Sequence, residues 1–140
     1  MATFNKFNTF VEYLAEGGFN FSSDSTCTIT VALCAAANAP VATNGVLGDL
    51  TTIDHTNLSS RVVGVSSSSQ TSGTYKLIIN DLVLTASGAV PTFRYVVFYD
   101  DDNASDALIG WYDYGGNVDL ATGETFTIDA SPTNGLFQLV

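Results

Sequence analysis

The 140 residues carry fourteen acids against four bases, Lys6, Arg61, Lys76 and Arg94, for a net charge of -10. Such a surface repels phosphate backbones and anionic bilayers, so neither a nucleic acid nor a membrane is an expected partner. Charged residues make up only 13% of the chain while 46% are hydrophobic. That length suits one domain able to bury a core without a metal or disulfide staple.

"FNKFNTFVEYLAEGG" sets Phe4, Phe7, Phe10, Val11 and Leu14 three and four residues apart, which predicts one stripe of an amphipathic helix stopped by Gly17. The stripe either caps the domain's own core or docks an arm, residues 1–18, on a neighbouring subunit. The opening "MATFNKFNTF" lacks the basic start and apolar core of a signal peptide, so a soluble product is expected.

From Thr26 the period changes to two. In "CTITVALC", Cys27, Ile29, Val31 and Leu33 alternate with Thr28, Thr30 and Ala32, predicting a strand with one buried face. Cys27 and Cys34 then point to opposite faces about 23 Å apart, too far to bridge, and free thiols are expected. The stretch from Ala35 to Ser60 predicts a long excursion with one short strand near Leu50 to Ile53. Arg61 to Val65 reads as a strand and "SSSSQTSG" as a turn or loop.

"YKLIINDLVLT" predicts one bulged strand or two strands broken at Asn80 and Asp81. "TFRYVVFY" and "ALIGWYDYGG" are two further strands, joined by the acidic stretch "DDDNASD". "TFTID" and "GLFQLV" complete the set. Seven or eight strands with turn signals between them predict a single-domain antiparallel β-sandwich or barrel over residues 26–140, with one N-terminal α-helix.

No catalytic constellation stands out. His55 is the single histidine and cannot form a multi-histidine zinc site, and a Ser-His-Asp set drawn around it has no specificity in so serine-rich a chain. Asp100, Asp101, Asp102 and Asp106 suggest a calcium loop, but Ala104 and Ser105 break the EF-hand spacing. Turn chemistry, with Asp and Asn side chains bonding their own backbone, accounts for them better. Trp111, Tyr112 and Tyr114 could offer a sugar platform, but strand parity separates the tryptophan from both tyrosines. No enzyme activity, cofactor or metal is expected.

Four segments carry a resemblance: "FNKFNTFVEYLAEGGFNFSSDS", "TVALCAAANAPVA", "SQTSGTYKLIINDLVLTASG" and "FRYVVFYDDDNASDALIGWYDYGGNVDLATGETFTID". Together they make nearly the whole chain resemble a family of small virion structural proteins of tailed bacteriophages. It departs from the family pattern at "ASGAVPTFRY", where relatives carry a glycine-rich turn. The resemblance implies an auxiliary head protein, assembled in the host cytoplasm, that decorates or cements the capsid surface. It also implies the major capsid protein as partner, with self-association as a trimer or other homo-oligomer on the lattice. Phe4, Phe7, Phe10, Val11 and Leu14 are the expected capsid or inter-subunit contacts. The alternative is a tail or fibre module that recognises a host glycan through Trp111 and Tyr112, or through the acidic loop with calcium.

Overall fold

A computed structural model describes residues 2–22 and 27–140, so the expected onset of the strand region at Thr26 lies outside the described residues. The chain is mainly β, a sandwich-like antiparallel arrangement with one helix. Among the described residues the strands are β1 (Phe4–Lys6), β2 (Ile29–Cys34), β3 (Val62–Val63), β4 (Val65–Thr71), β5 (Thr74–Ile79), β6 (Leu82–Thr85), β7 (Val90–Asp100), β8 (Leu108–Leu120), β9 (Thr125–Ile128) and β10 (Phe137–Leu139). The helix α1 spans Asn8–Ala15.

One layer is a five-stranded sheet in the order β1-β8-β7-β2-β3. The other is divided into β10-β5-β4 and β6-β9. Leu77 pairs with Phe137 and Leu82 with Ile128, so β9 and then β10 run in succession, antiparallel, along the course of β5 and β6. Phe7, Phe93, Phe98, Leu33, Leu77 and Leu84 are fully buried in the core between and around the layers.

Several elements depart from the sequence reading. The helix begins at Asn8, not at Phe4: Phe4 and Lys6 are two apart on β1 and pair with Tyr112 and Gly110 of β8. Gly110 makes this possible, because a Cβ there would collide with the Phe4 ring and the Asn5 carbonyl. The predicted stop holds, with Gly17 at φ +78 and the Gly18 amide donating to the Tyr13 carbonyl at 2.6 Å.

Strand β2 starts at Ile29, two residues after Cys27, and is buried on both faces rather than one. Within the sheet it lies between β7 and β3. Neither Cys27 nor Cys34 is in a disulfide.

No strand forms at Leu50 to Ile53. The excursion instead makes 3-10 turns at Ala36–Asn38 and Leu47–Asp49 and touches the sheet through single bonds, such as the Ile53 amide to the Leu33 carbonyl at 2.9 Å. "SSSSQTSG" is not a loop: most of it is β4, joined to β5 by a turn with Ser72 and Gly73 at φ +52 and +81. Two successive left-handed residues match the twist of a tight hairpin. β5 and β6 are two strands, but they belong to different sheets and do not pair with each other.

Candidate interaction surface

Where the five-stranded sheet meets the divided layer, the sandwich stays open as an apolar groove of about 1000 Å³. β1 contributes Phe4 and Lys6, which strand alternation places on one face. α1 contributes Phe10, Val11 and Leu14, and β8 contributes Tyr112 and Tyr114. The opposite wall is β9 and β10, each the outermost strand of its sheet. Edge-to-face and stacked rings hold the floor: Phe10 lies 5.2 Å and Phe4 6.4 Å from Phe137, and Phe4 lies 5.6 Å from Tyr112.

The predicted stripe is therefore divided. Phe7 and Phe10 are buried in the chain's own core, Phe7 with its ring 4.6 Å from Trp111. Phe4 and Leu14 are half-buried along the groove, and Val11 is 48% exposed. Tyr114 at 58% and Leu139 at 43% continue the apolar rim, with Val140 fully exposed beside them. Among the described residues the one ion pair is Arg94 with Asp113, so the groove's Lys6 and Asp129 are without ionic partners.

The β9 wall, including Phe126 and Ile128, was not singled out in the sequence. Its only signal was a short alternating "TFTI", which says nothing about which edge stays unpaired.

The acidic stretch caps the β7–β8 hairpin. Its side chains bond their own backbone, as turn chemistry requires: Asp100 Oδ1 accepts the Asp102 amide at 3.1 Å and Asn103 Oδ1 accepts the Ser105 amide at 3.0 Å. Asp100 is itself only 4% exposed, so this carboxylate is not part of a solvated tip. Burial first, and then the neighbouring Asp100 carboxylate, push the Cys27 thiol up to about 12. Burial pushes Cys34 up to about 11. Both sulfurs are thus protonated near neutral pH, the unreactive form. Among the described residues no three His, Cys, Asp or Glu side chains converge to hold a metal ion.

His55 has a structural partner. Its Nε2 accepts the Leu33 backbone amide at 3.0 Å, and burial, followed by the Arg61 charge, lowers its pKa to about 4. The adjacent Asp54 carboxylate binds the amide and hydroxyl of Thr56 at 2.9 and 2.5 Å.

Comparison with protein-family models, curated proteins and solved structures found no match to this chain.

Trp111 and Tyr112 do not form one aromatic platform. They occupy opposite faces of β8, Trp111 against Phe7 and Tyr112 between Phe4 and Phe98 at 5.6 and 5.9 Å. Tyr114 is the exposed ring of the three, 5.3 Å from Phe126 at the groove. The groove can thus bind by burying apolar surface, while its sheet edge offers unpaired backbone groups to a partner strand. No helix among the described residues is long and apolar enough to cross a membrane.

Proposed function

We propose that this chain is a structural protein of a tailed-bacteriophage virion, a decoration or cement protein that binds the outer surface of the assembled head and stabilises it. The observation that carries this reading is the open apolar groove flanked by an unpaired sheet edge, a surface suited to protein contact, on which three of the five predicted contact residues, Phe4, Val11 and Leu14, are accessible. The resemblance of nearly the whole sequence to auxiliary head proteins supplies the setting. The net charge of -10 favours an outward position, away from packaged DNA.

The mechanism is linkage. A protein that binds the assembled lattice and not its dissociated subunits adds its binding free energy to lattice stability. Copies that associate with one another while touching the major capsid protein multiply modest contacts into a net that resists internal pressure.

Reconstruction of purified particles, with and without the gene, tests the proposal. Density repeated over the head, lost on deletion together with heat resistance of the heads, is the expected result. Density confined to the tail would replace it with a host-recognition role.

A further inference from the structure

We infer that the groove face joins two copies of this chain about a two-fold axis, with the β10 edges side by side and the apolar residues at the end of each β10 seated in the other copy's groove. This gives the self-association named above a surface and a symmetry, yet it holds or fails in solution, independently of any capsid.

Three observations carry it. The first is shape: the face is concave, and on its rim Leu139 is 43% exposed. A knob next to a hole is self-complementary under a two-fold rotation, because residue i meets j and j meets i. The second is charge. In a chain of net charge -10 the groove lining carries one base, Lys6, and one acid, Asp129, on opposite walls and, among the described residues, without ionic partners. A two-fold axis brings Lys6 of each copy to Asp129 of the other, making two reciprocal pairs. Residues 130–140 contain no charged side chain, so repulsion between side chains of two acidic molecules is least there.

The third is the edge. β10 pairs with β5 alone, and an unpaired edge strand is a template for another strand. Antiparallel pairing of β10 with its own copy is the arrangement that a two-fold axis generates.

Sedimentation equilibrium of the purified full chain, from about 1 to about 100 μM, decides the matter, with melting temperature checked for each variant. A dimer is expected. Leu139→Glu should weaken it by on the order of 100-fold, since a charge enters the apolar seat. Lys6→Glu and Asp129→Lys should each weaken it by about tenfold, and the combined Lys6→Glu/Asp129→Lys variant should recover most of the loss. Val83→Glu, at an exposed position outside the groove, should leave the dimer intact. A monomer at 100 μM, a trimer, a folded Leu139→Glu variant that dimerises like the wild type, or a charge swap that fails to restore association would overturn the inference.

Discussion

The single histidine gives the sharpest test of the fold. β3 is only two residues long and pairs with Ile29 and Thr30, so the outer edge of β2 beyond them has no strand beside it. Leu33, fully buried, still has both backbone groups satisfied: its carbonyl accepts the Ile53 amide, and its amide donates to His55 Nε2. Only a neutral imidazole can accept that bond. The folded-state pKa of about 4 lies below the ordinary 6.5, so on acidification the unfolded chain takes up the proton first. Stability from His55 is therefore complete above pH 6.5 and falls as pH drops from there toward 4. The ceiling is roughly 1.4 kcal/mol per pH unit, about 3 kcal/mol over the window. The ring is partly exposed, and solvent screening reduces this to about 1–2 kcal/mol.

His55→Gln keeps an acceptor near the Nε2 position but does not titrate. Urea unfolding followed by the fluorescence of Trp111, the single tryptophan, should show the wild type losing about 1–2 kcal/mol more than His55→Gln between pH 7 and pH 4.5. Carboxylate titrations are common to both proteins and cancel in the difference. His55→Ala, which leaves the Leu33 amide without its acceptor, should cost about 1–3 kcal/mol at pH 7. Parallel pH profiles for wild type and His55→Gln, or an imidazole resonance titrating near 6.5 in the folded protein, would refute the reasoning.

Asp100→Asn should lower the Cys27 pKa, because it removes the carboxylate beside the thiol, yet leave it above 9, because burial is the larger cause; the pH dependence of alkylation reads this. Calcium should not shift the melting temperature of the wild type or of Asp100→Ala/Asp102→Ala, since the Asp100 carboxylate serves the Asp102 amide of the turn; a calcium-dependent rise in the wild type that is absent from the double variant would reinstate a metal loop. Gly110→Ala should cost about 1–3 kcal/mol and raise amide exchange in β1, because the new methyl displaces the Phe4 ring and the Asn5 carbonyl. Leu77→Ala, at a fully buried position, should cost about 2–5 kcal/mol, whereas Val83→Ala, 50% exposed, should stay within about 0.5 kcal/mol. Chemical denaturation measures all three.

Much of the β content was legible because it rests on local pattern. "TFRYVVFY" and "ALIGWYDYGG" became the long central hairpin, and the aspartates between them marked its turn. What failed was decided by distant neighbours. Spacing of three at Phe4, Phe7 and Phe10 fits a helix as well as a strand leading into one, and the deciding feature is the bare backbone of Gly110, more than a hundred residues away. "SSSSQTSG" has the composition of a loop, but an exposed edge strand needs no apolar side chains. Its pairing is fixed by the Ser72-Gly73 turn and by the Ser68 hydroxyl's 2.7 Å bond to Tyr75. The excursion around Leu50 failed the other way: its apolar residues suggested a strand, yet the sheet edge there is completed by one amide and one imidazole nitrogen.

The same division explains why the interaction surface was only half visible. Phe4, Phe10, Val11 and Leu14 could be read from their spacing as an apolar face, but which of them stay accessible depends on how far the second layer reaches. β5 and β6 break at Asn80 and Asp81, and β9 and β10 break with them, separated by residues 129–136. Between this broken layer and the β1 edge of the five-stranded sheet lies a gap, and α1, packed against β8, partly fills it. A helix of eight residues cannot span the gap from one edge to the other. Phe7 and Phe10 fill the inner part, and the outer part remains as the groove with Val11, Tyr114 and Leu139 on its rim. The open face thus follows from a strand break on one layer and a short helix on the other, which is why an apolar stripe read from the sequence supplied both core and contact surface.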